Sequence, residues 1–300
     1  MNTVKLNAYA KLNLTLDIVG EKDGYHMLDS LAVTVDIFDR VVIKKRKDSL
    51  VSVTMHGMGS ESIPPEENNA QRAGEAFVAR FGTQGADITI YKNIPIGAGL
   101  GGSSADAAAV IAGMGRLFSV SDATSLKDLA DSLGSDTGYL LSGGLVRMRG
   151  RGEIVEPLPF RRLHLLILAP KGSVLTAACY REYDRMRAEK GARTEQAVQQ
   201  MKNNPAMAAR FFGNDLFPAA KALNPDVGVA LAELESFSPL GASMTGSGSA
   251  AFALFETREL VEWAKSRYRG KFRPIATKSI DPKEKRTLKS PFALAEGEGE

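Results

Sequence analysis

The 300-residue sequence has one cysteine, Cys179, one tryptophan and no apolar run long enough to cross a bilayer. A single thiol can form neither an internal disulfide nor a multi-thiolate zinc site, so we expect a reducing compartment and interpret Cys179 as a packing residue. Residues 1–20 alternate polar and apolar side chains where a signal peptide has a solid apolar block. We therefore expect a cytoplasmic protein with no membrane partner.

The sequence also lacks an excess of either charge, with 38 Lys and Arg against 35 Asp and Glu. A dedicated nucleic-acid binder neutralises many phosphates, so we expect no nucleic-acid partner, although a small anionic ligand fits. The content of 44% hydrophobic and 24% charged residues excludes collagen-like, coiled-coil and wholly disordered chains. Because single cores stop growing at about 250 residues, the length predicts two domains. The oligomeric state is left open.

Hydrophobic periodicity predicts an α+β fold with non-local sheets. Apolar residues alternate between residues 12 and 18 and between residues 31 and 43, the latter with a turn at Asp39. The second half predicts a strand at residues 163–170, helices near 176–190, 194–201, 226–236 and 257–268, and a strand at 272–280. We predict an N-terminal domain at 1–155 and a C-terminal domain at 156–280. Residues 281–300, with segregated charges, are predicted to be a flexible tail.

A glycine-rich loop before an alanine-rich helix is the strongest local signal, at residues 95–109, PIGAGLGGSSADAAA. Backbone N–H groups of such a loop and of the first helical turn suit a polyphosphate, although a loop needed only for tight packing is the structural alternative. The GxGxxG match is not a dinucleotide fingerprint, because a β meander precedes it and a long helix follows it. No Lys-Ser or Lys-Thr makes a Walker A loop. Any nucleotide site here is therefore neither a dinucleotide-binding fingerprint nor a Walker A loop.

Two charged residues in apolar surroundings could carry chemistry. Asp136, in LGSDTGYLLSGG, lies in a stretch expected to enter the interior, where it could cap a turn or accept a hydroxyl proton. Lys11, in AYAKLNLTL, is either a solvated lysine on an edge strand or the cation that keeps Asp136 ionised. The DGYH turn presents Tyr25 and His26, and ligand contacts concentrate in turns, although such a pair is more often structural.

Taken in order, these segments resemble the GHMP small-molecule kinase superfamily, whose phosphate loop PxxxGLGSSxA is close to residues 95–105. Within it, the resemblance is to the kinases that act on 4-diphosphocytidyl-2-C-methyl-D-erythritol in non-mevalonate isoprenoid biosynthesis. It extends over about residues 5–280 and is carried by AKLNLTLDIVGEKDGYHMLDSLAVTVDIFD, KNIPIGAGLGGSSADAAA, LGSDTGYLLSGG with GRGEIVEPL, and MTGSGSAAFALF. The combination of AKLNL with DGYH is its most specific part.

The resemblance implies a two-domain GHMP kinase fold, with an S5-like N-terminal domain and a ferredoxin-like C-terminal domain, that uses ATP with Mg2+. It implies that Asp136 takes the hydroxyl proton and that Lys11 orients the reacting groups. For ATP it implies Lys92 and Asn69 on the adenine side and a phosphate loop of Pro95, Ile96, Gly97, Ala98, Gly99, Leu100, Gly101, Gly102, Ser103 and Ser104. For the cytidine diphosphate substrate it implies Asn13, with Tyr25, His26 and Tyr180 as the cytosine pocket.

The chain departs from that pattern in three places. Gly138 stands where the family commonly has a proline, GLGGSSA replaces GLGGGSS, and NNAQRA replaces an Asn-Leu-Ile type of run. Alternatives are a GHMP kinase for another alcohol, of the homoserine or mevalonate type, a noncatalytic nucleotide-binding protein on this fold, and an RNA-binding relative of the S5-like domain. The DGYH turn argues against the first, and the presence of both Lys11 and Asp136 argues against the others.

Overall fold

The computed structural model describes residues 2–57, 68–186 and 191–284. The first half contains β1 (Thr3–Asn13), β2 (Thr15–Lys22), β3 (Tyr25–Lys45), β4 (Val51–His56), α1 (Asn69–Phe81), β5 (Ala86–Tyr91), α2 (Gly102–Phe118), α3 (Ala123–Leu133), α4 (Ser135–Ser142), β6 (Leu145–Gly150) and β7 (Ile154–Pro157). The second half contains β8 (His164–Leu168), α5 (Thr176–Met186), α6 (Thr194–Met201), α7 (Pro205–Ala208), a 3-10 turn (Ala209–Phe211), β9 (Gly213–Asn214), α8 (Phe217–Leu223), α9 (Asp226–Glu235), β10 (Gly241–Met244), β11 (Ala251–Phe255), α10 (Arg258–Arg267) and β12 (Pro274–Lys278). Residues 187–190 of the helix predicted near 176–190 and residues 285–300 of the predicted tail lie outside the described residues.

The first sheet is built around the long strand β3. Strands β1, β2, β5 and β6 pair antiparallel with it, β4 runs parallel to β5, and β7 pairs with β6. The predicted turn at Asp39 is wrong, because β3 runs through it without interruption. Asp39 occupies an inward position of the alternation and is fully buried. Its carboxylate accepts the backbone N–H groups of Asn93 and Ile94, which satisfies a polar group inside the core.

Helix α2 packs on this sheet because its residues are small or apolar on nearly every side. Ala107, Val110, Ile111 and Met114 are fully or almost fully buried in the core that the helix shares with β1 and β3. The helix is preceded by the glycine-rich loop, so the packing of α2 against the sheet fixes where that loop lies. No helix in the described ranges is both long and apolar enough to cross a membrane.

The second sheet is antiparallel, in the order β10, β11, β8, β12, and it is buried on both faces. Leu165 and Ile167 of β8 face the core of the first half, while Leu166 and Leu168 face a second core with α9 and α10. Burial on both faces explains why the strand is continuously apolar instead of alternating. The α+β prediction with two sheets is confirmed. The boundary after residue 155 stays a prediction.

A segment of the second half is built into the first sheet. Strand β9 runs parallel to β2, and the Asp215 carboxylate that follows it accepts the backbone N–H of Ile18 at 2.8 Å. Arg193, at the start of α6, donates to Asp17 at 2.9 Å and to Asp215 at 2.8 Å. The two carboxylates are 2% and 0% exposed, so one guanidinium pairs with two buried carboxylates across the two halves.

The substitution Arg193→Ala is expected to lower the free energy of unfolding by about 3 kcal/mol. It leaves two buried carboxylates without their shared cation, and the loss is at the lower end for buried pairs because 34% of the Arg193 side chain is exposed. Urea denaturation followed by circular dichroism measures the change. Arg210→Ala, at an exposed arginine with no ion pair among the described residues, is the matched control. Equal midpoints for the two variants would contradict the role assigned to Arg193.

Candidate active site

A cleft of about 540 Å3 opens where loops of the two halves meet. Its walls include Lys11 and Asn13 from β1, Asp136 from α4 and Tyr180 from α5. All ten residues of the predicted phosphate loop, residues 95–104, also line it, as do residues 246–248 after β10. The cleft therefore brings together segments from both ends of the chain.

The glycine loop can adopt its path only because it lacks side chains at two close approaches. Gly99 and Gly101 have φ angles of 75° and 71°, in the left-handed region that favours glycine. A Cβ atom on Gly99 would lie 2.3 Å from the carbonyl oxygen of Thr245, and one on Gly101 would lie 2.9 Å from Cγ of Lys11. No side chain among the described residues caps the N-terminus of α2. Its first N–H groups and the positive end of its dipole thus make a candidate anion site beside the loop.

A lysine, an amide and a carboxylate meet beside this anion site. Lys11 Nζ donates to Asn13 Oδ1 at 2.5 Å and lies 3.2 Å from Asp136 Oδ2. Asn13 is fixed in turn, since its amide nitrogen donates to Ser30 Oγ at 2.8 Å. The Lys11 side chain is only 6% exposed, which excludes the solvated edge-strand alternative. A buried ammonium group therefore lies directly beside the Asp136 carboxylate.

Asp136 is not in the interior, contrary to expectation, because its side chain is 35% exposed and lines the cleft. The buried part of this stretch is Thr137–Leu141, which begins at the next residue of α4. Asp136 lies in the first turn of α4, where the helix dipole favours a carboxylate. At Gly138 a Cβ atom would lie 1.7 Å from Asp131 Oδ1, so the glycine that replaces the family's proline lets α4 pack closely on α3.

Lys92 is held between two aspartates at the wall of the cleft. Its Nζ contacts Asp39 and lies 2.5 Å from Asp106 Oδ2, while Asp106 Oδ1 has no hydrogen-bond partner among the described residues. Burial raises the pKa of Asp106 to about 7 despite the opposing charge of Lys92. Burial alone would lower the pKa of Lys92, but the two aspartates raise it. The ammonium is therefore charged and already paired, and sequence reasoning missed both of its partners.

Asn69, predicted to be on the adenine side, does not line the cleft, whereas its neighbour does. Asn68, and not Asn69, is among the residues that line the cleft. Asn68 caps α1, because its Oδ1 accepts the backbone N–H of Ala70 at 3.0 Å, and it is buried. Asn69 is the first helical residue, and its side chain lies near Arg72 on the exposed side of α1. A capping asparagine before the helical pattern was the signal that could have identified Asn68.

Two of the three predicted cytosine-pocket residues contact each other, and the third contacts an arginine. The His26 ring stacks on Tyr180 with centroids 4.9 Å apart, and its Nε2 lies 2.7 Å from Asp184 Oδ1. Tyr25 is 52% exposed, and the guanidinium of Arg151 lies 3.9 Å from its ring centroid. Of the three predicted residues, only Tyr180 lines the cleft directly. Burial raises the pKa of the Tyr180 phenol, which keeps it neutral.

The substitution Asp106→Asn is expected to make stability less sensitive to pH. The folded pKa of about 7 lies above the usual value of 3.8, so the folded state binds the proton more tightly than the unfolded chain. Ionisation therefore costs stability as the pH rises between these values, and the cost is complete above pH 7. The free energy of unfolding of the variant is expected to exceed that of the wild type by about 1–3 kcal/mol at pH 8 and by less at pH 5.

Denaturation at both pH values measures this difference. Asp128→Asn, at an exposed carboxylate on α3, is the control and should show no such pH dependence. A constant difference between Asp106→Asn and the wild type across the pH range would contradict the raised pKa.

Two family models match the chain in the order of its two halves. The model for the GHMP kinases N terminal domain matches residues 68–145, and the model for GHMP kinases C terminal matches residues 186–273. The glycine loop, α2 and the Lys11–Asp136 contact lie within or beside the first match. The fold and cleft are thus those of a small-molecule kinase of the GHMP class, with its two-domain α+β architecture.

Similar proteins identify the family within this class of kinases. The chain is 38% identical over 269 residues to 4-diphosphocytidyl-2-C-methyl-D-erythritol kinase of Desulfitobacterium hafniense, covering 87% of this chain and 90% of the relative. It is 34% identical over 282 residues to the same kinase of Pelotomaculum thermopropionicum, covering 92% and 98%. A solved 4-(cytidine 5'-diphospho)-2C-methyl-D-erythritol kinase superimposes with a TM-score of 0.74 at 28% identity, covering 93% and 100%. The chain belongs to the 4-diphosphocytidyl-2-C-methyl-D-erythritol kinase family.

A more distant likeness concerns the fold alone. Homoserine kinase from Cytophaga hutchinsonii has a TM-score of 0.71 at 20% identity and covers 93% of this chain and 95% of its own. The architecture is therefore shared among kinases whose names specify different acceptors, and acceptor choice depends on side chains in the cleft.

Proposed function

We propose that the chain transfers the γ-phosphoryl group of ATP to a hydroxyl of 4-diphosphocytidyl-2-C-methyl-D-erythritol. The observation that carries this proposal is the contact of Lys11 with Asp136, at 3.2 Å, beside a glycine loop and an uncapped helix N-terminus in one cleft. The helix end and loop suit phosphates, and the carboxylate suits a hydroxyl proton. Family membership supplies the acceptor. A single buried thiol agrees with a cytoplasmic setting, which we include in the proposal.

In the proposed reaction, Asp136 accepts the proton of the acceptor hydroxyl as its oxygen attacks the γ-phosphorus. The bond to the β-phosphate oxygen breaks, and ADP leaves with that electron pair. Lys11, which contacts Asp136, offsets negative charge near the reacting oxygen. Asn13, which holds Lys11 through its Oδ1, fixes the direction of the ammonium. The N–H groups at the start of α2 and in the loop stabilise charge on the transferred group.

Magnesium fits this cleft as an ion carried by the nucleotide. The described ranges contain no group of three His, Cys, Asp or Glu side chains that could hold a metal. The oxygen donors at the wall include the hydroxyls of Ser103 and Ser104 and the carboxylates of Asp106 and Asp136, which suit an ion held mainly by phosphates. When bound, the ion neutralises charge on the β- and γ-phosphates.

The acceptor is tested by an ADP-release assay with a panel of alcohols. We expect turnover with 4-diphosphocytidyl-2-C-methyl-D-erythritol and little or none with homoserine, mevalonate or free methylerythritol. The reason is that only the first substrate offers a base and a diphosphate to the part of the cleft near Tyr180. Equal turnover with homoserine or mevalonate would assign the chain to another acceptor, and no turnover with any alcohol would favour a noncatalytic role.

The substitution Asp136→Asn is expected to lower kcat by about 10²-fold or more, the usual contribution of a general base. The amide keeps the size of the side chain but cannot accept the proton. ATP binding, measured by calorimetry, should be retained because the glycine loop is unchanged. Asp128→Asn, which removes an exposed carboxylate on α3, controls for the change of net charge. A folded Asp136→Asn protein that turns over at nearly the wild-type rate would remove Asp136 from this role.

A further inference from the structure

Within the part of the chain that the structure describes, one cation of the cleft has no carboxylate partner. Among the described residues that line it, the cationic side chains are Lys11, Lys92 and Arg151. Lys11 lies beside Asp136, and Lys92 lies between two aspartates, so neither brings net positive charge to the cleft. The Arg151 guanidinium makes no ion pair with any described residue, and it lies over the ring of Tyr25. It is therefore available to a negatively charged ligand.

Arg151 also lies between the two ends of the proposed acceptor site. It is on the turn between β6 and β7, and the next residue, Gly152, packs against α4. A Cβ atom on Gly152 would lie 3.1 Å from Cβ of Ser135, the residue before Asp136. In the other direction, the Arg151 guanidinium lies 3.9 Å from the Tyr25 ring centroid. One turn thus connects the base-binding residues with the helix that carries the proposed catalytic carboxylate.

The acceptor has the same order of parts. It carries a cytosine base at one end, the reacting alcohol at the other and two phosphates between them, each with one negative charge. We propose that Arg151 binds this diphosphate and thereby selects acceptors that carry one. This inference rests on the proposed function, and it adds a residue that sets acceptor specificity.

The chemistry of arginine suits this position. Its planar guanidinium presents two parallel N–H donors to phosphate oxygens and can at the same time stack on an aromatic ring. The contact with Tyr25 holds the plane of the group, so less side-chain freedom is lost on binding. The nucleotide phosphates have separate partners in the glycine loop and the start of α2. Arg151 therefore acts on the acceptor and not on ATP.

The test compares Arg151→Gln with Arg149→Gln, a matched change at an exposed arginine of the same hairpin whose partner is Glu156 at 3.7 Å. Calorimetry measures the dissociation constants of cytidine, cytidine diphosphate and a nonhydrolysable ATP analogue, and steady-state assays give KM and kcat. We expect Arg151→Gln to weaken binding of cytidine diphosphate, and to raise the acceptor KM, by about 10- to 100-fold. Affinities for cytidine and the ATP analogue, and kcat, should remain near wild type. Arg149→Gln should change none of them.

Other results would overturn the proposal. Equal losses for cytidine and cytidine diphosphate would mean that Arg151 only supports the base-binding turn, and a loss confined to the ATP analogue would place it on the donor. Unchanged binding of all three ligands would show that Arg151 contacts neither the acceptor nor the nucleotide. Arg151→Lys, which keeps the charge without the planar fork, should fall between wild type and Arg151→Gln, and it provides the test if the glutamine variant does not fold. Failure of the proposed function is distinguishable, because wild type itself would then not phosphorylate the cytidyl acceptor.

Discussion

The glycine loop is hydrogen-bonded to two other segments of the chain, and the geometry of the site depends on these hydrogen bonds. The backbone N–H of Lys11 donates to the carbonyl of Leu100 at 2.9 Å, and the N–H of Ala250 donates to the carbonyl of Ala98 at 3.0 Å. These bonds join the loop to β1 on one side and to the segment before β11 on the other. The start of α2 is thereby fixed beside the Lys11 side chain. Because Lys11 in turn contacts Asp136, one loop sets the distance between the anion site and the carboxylate.

The parts of this arrangement that sequence could predict are those with a local signal. Period-two alternation indicated the strands, and glycines before a run of alanines indicated a loop leading into a buried helix. Lys11 and Asp136 were conspicuous because each is a charge among apolar residues, and burial of one charge demands a partner. The need for an opposite charge predicted the contact between Lys11 and Asp136, which are more than a hundred residues apart in the sequence. The family resemblance then supplied the acceptor, which no local pattern specifies.

The parts that sequence could not predict depend on partners far along the chain. Asp39 was interpreted as a turn, but the amine of Lys92 and two backbone N–H groups some 54 residues away allow it to be a core residue. His26 and Tyr180 come together because α5 packs against the β2–β3 turn, which involves both halves of the protein. Arg151 lies in the motif GRGEIVEPL, but no pattern in the sequence indicated a role for it. An arginine in a glycine turn resembles an exposed loop residue until the ring beneath it is known.

Strand β9 has a consequence for how the protein forms on the ribosome. It contributes only two residues, but it borders β2, and Asp215 next to it bonds to Ile18 across a separation of 197 residues. The edge of the first sheet at β2 therefore stays uncovered until most of the polypeptide has been synthesised. Contacts of such long range slow folding, because a large loop must close before they form. The order of translation and the order of assembly thus differ: β2 is made second and pairs with β3, but it is among the last strands to gain its second neighbour, β9.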